Sequence, residues 1–556
     1  MRIRDLNRRQ MMTATLGASG LLTYPALGRA QSAHAAAGPL LTEATAPFVT
    51  VETANGVLRG GHIHGALGFR GIPYAGSVTG ANRFKMAPPP ASWTGVRDAL
   101  HPGPPTIQPP GGTYGEQEPA YSEDCLVLNV WTPAVNDGRK RPVLFYNHGG
   151  GFLTGSGSSV DADGANMARE YDVVVVASNH RLGVLGYLYL GEIGGEAYAS
   201  SGNAGMLDIV AALTWVNENI EAFGGDPGNV MIFGESGGGQ KTSTLCAMPA
   251  ARGLFHKIGV ISGPYLRATP KADATALAQA ILAKLEIAPD QLDRLADVPL
   301  DKLLEAQTTV HIGPTGPGFR VGAPHIGLGP VFDGTYVAQN PFDPAPAPWI
   351  ADMPLVIGLN NEEARFFAMA ANKPEIFTMD DASMVDRVRR EFGDAVADQV
   401  LPVIRRDRPN ANPTDLYIAL ADAEWWMQSI EVAERKSAQS APVFMYRYDY
   451  ESNHPIPGTD QVLRAAHATD IAADFDNPDA TSLMGSRPDR AQMAHIFSEL
   501  WATFARTGRP GAAGQPVWPP YEPQHRSTMV INLTCQVEDD PHQSERVALF
   551  KTVGAV

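Results

Sequence analysis

The stretch Val230-Met231-Ile232-Phe233-Gly234-Glu235-Ser236-Gly237-Gly238 decides how the chain is read. Its first four residues are apolar without polar alternation, which suits a strand buried on both faces. Directly after them comes a G-x-S-x-G turn, and such a turn at a strand-to-helix junction forces the central residue into a crowded bend. Glycines two positions away leave the necessary room, so the Ser236 hydroxyl is expected to project from the sheet at a helix N-terminus. Alone, the five-residue pattern is also compatible with an ordinary glycine-rich turn; its place after a buried strand gives it meaning.

Upstream, a second apolar run at residues 143–146 leads into His148-Gly149-Gly150-Gly151-Phe152. Consecutive glycines let the backbone turn successive N–H groups into one small space, a suitable receptor for the oxyanion formed when a carbonyl is attacked. A phosphate cradle is the competing reading, but no lysine-serine pair of the Walker type comes after it. Further short apolar runs lie at residues 173–176, 257–261, 355–357 and 443–446, with helical stretches expected at 207–223, 272–295 and 384–404. The alternation predicts an α/β architecture with a mostly parallel sheet flanked by helices. Gly224-Gly225 should close the first helix, because glycine accepts the left-handed conformation at a helix end. The Pro-rich pieces 103–110 and 341–348 read as surface loops.

A serine hydroxyl becomes a useful nucleophile when an imidazole takes its proton and a carboxylate orients that imidazole. On a sheet of this kind the chain order is serine, acid, histidine. Gly358-Leu359-Asn360-Asn361-Glu362-Glu363 offers an acid in the right order, and Ala465-Ala466-His467-Ala468-Thr469-Asp470 a base. His454 and His495 compete with His467 on these grounds.

Composition narrows the class. The chain has 556 residues, 44% of them hydrophobic and 18% charged, which supports a large core and excludes disorder. Lys plus Arg number 43 against 59 Asp plus Glu, a net charge of −16, so a nucleic-acid partner is not expected. Three cysteines supply neither a disulfide framework nor a Cys-rich zinc site, and no His-Glu-x-x-His pattern occurs; neither metal nor other cofactor is expected. A serine nucleophile beside an oxyanion receptor makes a small-molecule ester the expected partner, and oligomeric state is left open. Arg2, Arg4 and the pair Arg8-Arg9 precede a moderately apolar stretch over 11–27 and small residues beyond it. That order predicts a removed twin-arginine export signal over residues 1–35, a mature start near 31–38 and a periplasmic or extracellular location. No other apolar run reaches the roughly 20 residues needed to span a bilayer.

With these residues in view, the chain resembles the type-B carboxylesterase family, which includes the cholinesterases, over residues 49–530. Landmarks are Phe69-Arg70-Gly71-Ile72-Pro73, Ser122-Glu123-Asp124-Cys125-Leu126, the glycine loop, Gly202-Asn203-Ala204-Gly205-Met206 and Phe223-Gly224-Gly225-Asp226-Pro227. The resemblance implies one α/β-hydrolase domain over 36–556, with loops and helices above an active-site gorge. It also implies a serine carboxylesterase acting through an acyl-enzyme: Ser236 as nucleophile, Glu363 as acid, His467 as base, and the N–H groups of Gly150, Gly151 and Gly237 as oxyanion donors. Glu362 is the neighbouring alternative for the acid. A catalytically silent binding protein, an amidase and a thioesterase are the competing functions on the same fold.

The chain departs from the family pattern in places. No cysteine precedes Cys125 to pair with it, so that loop is expected unlinked, and Cys246 and Cys535 are expected as free buried thiols. After the nucleophile stands Gly237-Gly238-Gly239-Gln240-Lys241, where relatives usually have Ala-Gly and small residues. Lys241 and Arg365, with Arg267 and Arg320, suggest a cationic pocket for an ester bearing free carboxylates; the competing reading pairs these bases with Glu362, Asp333 or other acids. Phe152, Phe366, Phe367, Trp425 and Trp426 are candidate pocket walls that would serve equally well as core.

Overall fold

The structure is a computed structural model, and it describes residues 47–109, 120–310 and 327–554. One sheet runs through it. Its strands are β1 (Phe48–Thr53), β2 (Gly56–Ile63), β3 (Ala66–Pro73), β4 (Val96–Asp98), β5 (Val127–Thr132), β6 (Arg141–Asn147) and β7 (Val174–Ser178). The remainder are β8 (Gly225–Glu235), β9 (Lys257–Ile261), β10 (Leu355–Asn360), β11 (Val443–Tyr448), β12 (Ser527–Ile531) and β13 (Gln536–Asp539). The spatial order is β1-β2-β3-β5-β7-β6-β8-β9-β10-β11-β12-β13, with β4 beside β2. From β7 to β12 neighbours are parallel, while β1-β2-β3-β5-β7 and the β12-β13 edge are antiparallel.

The unbroken apolar runs have a direct explanation: successive side chains feed two different cores. Val143, Phe145, Val230 and Ile232 pack on one face of the sheet with Met206 and Ile209 of the helix Ala204–Asn219. Leu144, Tyr146, Met231 and Phe233 pack on the other with Phe497 and Trp501 of the helix Arg490–Thr507. With helices on both faces the central positions of these strands are buried on either side, hence the missing alternation; polar residues such as Arg141, Asn147 and Glu235 stand at the strand ends.

The helix expected over 207–223 is Ala204–Asn219 continued by a tighter turn, Ile220–Phe223, and Gly224 ends it at φ 76°. The other two expected helices are broken. The second stops at Lys284, where Glu286 turns left-handed at φ 56° and the Ile287 N–H closes back on the Leu282 carbonyl at 3.0 Å, and Pro289 opens a separate 3₁₀ segment. The third is three helices, Asp381–Phe392, Asp394–Gln399 and Leu401–Asp407, interrupted at Gly393 with φ 89° and restarted at Pro402. The Pro-rich pieces are not purely superficial. Gln108 is buried and clasps Gly155 through both backbone groups, and Phe342 is wholly buried.

All three cysteines are buried and free. Among the described residues, no helix is long and apolar enough to cross a membrane. The expected export signal lies outside the described residues.

Candidate active site

Parallel strands place their following loops along one edge, so residues distant in sequence meet there. The glycine loop leaves β6, Ser236 leaves β8, Glu363 comes after β10 and His467 after β11. Register aligns these exits: Asn147 of β6 pairs with Gly234 of β8, and Glu235 with Ile261 of β9.

Ser236 sits at φ 57°, ψ −123°, a conformation an L-residue holds only under constraint. The constraint is visible. Its N–H donates to the Ile261 carbonyl at 2.9 Å, its carbonyl accepts from the Gln240 N–H at 3.2 Å, and the helix Gly237–Leu245 begins immediately. A Cβ on Gly234 would lie 2.4 Å from the Asn147 carbonyl oxygen, and one on Gly238 would lie 1.9 Å from it. Both glycines are therefore obligatory for the turn. Ser236 is partly exposed between buried neighbours.

The glycine loop is pressed against this turn. A Cβ on Gly237 would come within 2.3 Å of the Gly151 carbonyl oxygen, and Gly150 and Gly151 adopt φ of 81° and 62°. No described acceptor takes the N–H of Gly150 or Gly151. With the first N–H of the helix at Gly237, these are the free donors that an anion beside Ser236 requires.

His467 is 2% exposed, and its Nδ1 lies 2.5 Å from Glu363 Oε2. The other Glu363 oxygen accepts from the Ser262 hydroxyl at 2.6 Å and the Asn360 N–H at 2.7 Å. A carboxylate so held cannot rotate, which fixes the imidazole. The rival residues fall elsewhere. Glu362 is turned away to Arg365 and Arg464, His495 is exposed on the helix Arg490–Thr507 beside Tyr171, and His454 lies on the strand Ser452–Pro455 of a separate two-stranded sheet.

Glu235, the residue between the glycine and the serine, is wholly buried, and its Oε1 lies 3.2 Å from His467 Nε2. Burial pulls the imidazole toward neutrality, but the Glu235 and Glu363 carboxylates outweigh it and push His467 up to about 9. Asp470 stands in the next layer, accepting from the Asn360 amide at 2.9 Å; burial, then Glu363, pushes it up to about 7. Sequence reasoning assigned no role to Glu235, Ser262, Asn360 or Asp470. A carboxylate inside the serine motif was the one available signal.

Two expected pocket cations require correction. Lys241 is wholly buried behind the glycine loop, its Nζ donating to the His148 carbonyl at 2.8 Å and reaching the Gly149 carbonyl at 3.4 Å. Arg365 is wholly buried and ion-paired with Glu362 and Asp415. An ammonium or guanidinium without solvent contact needs internal partners, and both have them, so neither presents charge to a substrate. Arg267 pairs with Asp343 at 2.6 Å, and Arg320 lies outside the described residues. Phe152 is a core residue, edge-on to Tyr187, and Trp426 packs against His542. The aromatic wall of the site is instead Phe367, 43% exposed, and Trp425, whose rings lie 4.6 Å and 5.3 Å from the His467 ring.

Comparison with known proteins identifies a family for the chain. The profile described as "Carboxylesterase family" matches residues 47–549. The para-nitrobenzyl esterase of Bacillus subtilis (strain 168) is 34% identical, covering 91% of this chain and 99% of that protein. The phenmedipham hydrolase of Pseudarthrobacter oxydans is 32% identical, covering 83% and 91% respectively. A solved carboxylesterase of Geobacillus stearothermophilus superposes with a TM-score of 0.76 at 37% identity, covering 90% of this chain and 99% of that one.

Proposed function

Because the chain belongs to the carboxylesterase family, a family of carboxylic ester hydrolases on the α/β-hydrolase fold, we propose that it cleaves esters through an acyl-enzyme on Ser236. The observation that carries this reading is the 2.5 Å contact between His467 and a doubly anchored Glu363, on the same sheet edge as a strained, partly exposed serine.

His467 Nε2 takes the Ser236 proton as the serine oxygen bonds to the ester carbonyl carbon. Negative charge develops on the carbonyl oxygen, where the N–H groups of Gly150, Gly151 and Gly237 receive it. In comparable sites the loss of one such donor costs on the order of 10²–10³ in rate. The imidazolium returns its proton to the departing alkoxide as the carbon–oxygen bond breaks. Water then repeats the attack, giving up a proton to His467, and releases the acid with Ser236 restored. Glu363 holds the Nδ1–H tautomer throughout.

The substrate we propose is an uncharged ester with an aromatic or bulky apolar group. Phe367 and Trp425 offer rings beside His467, and the buried pairing of Lys241 and Arg365 argues against carboxylate recognition by these two cations. A relative named for a para-nitrobenzyl group is consistent with that class. We further propose that residues 36–556 act as one domain and that the Arg8-Arg9 leader directs export.

Treatment with a fluorophosphonate and subsequent peptide mapping tests the nucleophile. Modification is expected on Ser236, and Ser236→Ala should abolish both labelling and turnover while leaving the circular dichroism spectrum unchanged. Hydrolysis at the wild-type rate by Ser236→Ala would end the proposal.

A further inference from the structure

Behind the glycine loop lies a buried basic group that the acyl-transfer mechanism does not use. Lys241 stands on the second turn of the helix Gly237–Leu245, the helix that carries the nucleophile at its start, and its side chain runs back under residues 148–150. The ammonium has no solvent contact. It donates to the His148 carbonyl at 2.8 Å, reaches the Gly149 carbonyl at 3.4 Å, and stands 5.9 Å from the centre of the Phe152 ring. In a trans peptide the N–H points opposite to its carbonyl, so the N–H groups of Gly149 and Gly150 face away from Lys241.

A carbonyl and the next N–H belong to one peptide group, so what binds the oxygen polarises the hydrogen. The Gly149 carbonyl shares its peptide with the Gly150 N–H, a proposed oxyanion donor. We infer that Lys241 is a positioning residue for the oxyanion site, pinning the glycine loop through its carbonyls and strengthening the forward-facing N–H of Gly150. This rests on Ser236 being the nucleophile and the glycine loop the oxyanion receptor. Lys241 touches neither ester nor reacting atoms; its effect passes through the 148–150 backbone. Burial pushes its ammonium well below the ordinary lysine range, with Glu235 opposing, and in either protonation state the nitrogen keeps hydrogens to donate.

The test uses the full-length enzyme with Lys241→Met, which preserves the stem, and Lys241→Gln, whose amide stops short of both carbonyls. Where the methionine variant does not fold, the glutamine variant carries the same measurements. Lys436→Met is the comparison: that lysine is also wholly buried and also donates to a carbonyl, that of Ala351, remote from the site. Competent sites are first counted with fluorophosphonate. Per competent site, the Lys241 variants are expected to lose about 10- to 100-fold in kcat, with KM within about twofold, a fraction of the loss from deleting a donor. Affinity for a trifluoromethyl ketone, which forms a tetrahedral adduct, should fall by the same factor as kcat/KM. The acyl-enzyme carbonyl stretch should move to higher frequency, as it does when hydrogen bonding weakens. Lys436→Met should lower thermal stability and move none of these. Absent labelling of Ser236 would sink the underlying mechanism. Full labelling with unchanged kcat, ketone affinity and carbonyl frequency would overturn the role of Lys241 alone.

Discussion

Replacing Glu235 by glutamine should move the acid limb of the pH–rate profile downward. The carboxylate lies 3.2 Å from His467 Nε2, the nitrogen that takes the serine proton in the proposed mechanism. At an effective dielectric constant of about 20, two unit charges at that distance interact by about 5 kcal/mol, an upper bound of nearly 4 pKa units. The glutamine carbonyl still accepts from Nε2–H, so the expected fall is smaller, about 1–3 units. In the wild type the limb should lie above the ordinary histidine value, toward about 9. The same charge also stabilises the imidazolium formed in the transition state. The variant should therefore lose rate on its alkaline plateau while changing little at low pH, where the two effects oppose each other. Initial rates giving kcat/KM for a neutral chromogenic ester, from about pH 5 to about pH 10, separate limb from plateau. An apparent pKa that is unchanged or higher in Glu235→Gln would refute the electrostatic assignment.

Three other perturbations have defined outcomes. Gly238→Ala puts a methyl 1.9 Å from the Asn147 carbonyl oxygen and should cost at least ~100-fold in kcat through displacement of the turn, read by steady-state kinetics on labelled sites. Arg365→Ala leaves Glu362 and Asp415 with Arg464 as their one remaining shared cation and should destabilise by about 1.5–3 kcal/mol in urea unfolding. It should leave the preference between a neutral ester and its carboxylated analogue as it was. Asp474 is wholly buried, with the Trp501 indole as its one opposing hydrogen-bond influence, and burial, then Asp470 and Glu235, raises it well above its ordinary value. Its folded form keeps a proton that the unfolded chain releases, so this side chain costs stability increasingly as pH climbs above about 4. Asp474→Leu should raise the melting temperature, and by more near pH 8 than near pH 4, with a gain on the order of 1–3 kcal/mol.

Much of this site was legible in the sequence because its constraints are local. The Gly234-to-Gly238 turn needs its glycines for steric reasons that leave a sequence trace, and the double-sided cores around β6 and β8 leave unbroken apolar runs. The glycine loop was legible for the same reason. Charge was read poorly. Lys241 and Arg365 looked like substrate contacts because a sequence carries no record of burial, and only the packed structure reveals the carbonyls and carboxylates that hold them. Glu235 stands within the motif yet had no task on sequence grounds, since its partner His467 comes from a loop 232 positions away and only sheet register brings them together. The helices break beyond Lys284 and Phe392 at single left-handed residues, Glu286 and Gly393, inside otherwise periodic stretches, and a left-handed glutamate leaves no trace in sequence.

The order in which β6, β8, β10 and β11 deliver their loops has a consequence for biogenesis. A chain emerging from the ribosome displays the proposed nucleophile Ser236 first, then Glu363, and His467 more than two hundred positions after Ser236. On the proposed mechanism, chains that stop short of His467 carry an inert serine, and hydrolysis begins only when β11 and the loop beyond it have docked. Turnover in a crude extract thus doubles as an assay of completed assembly.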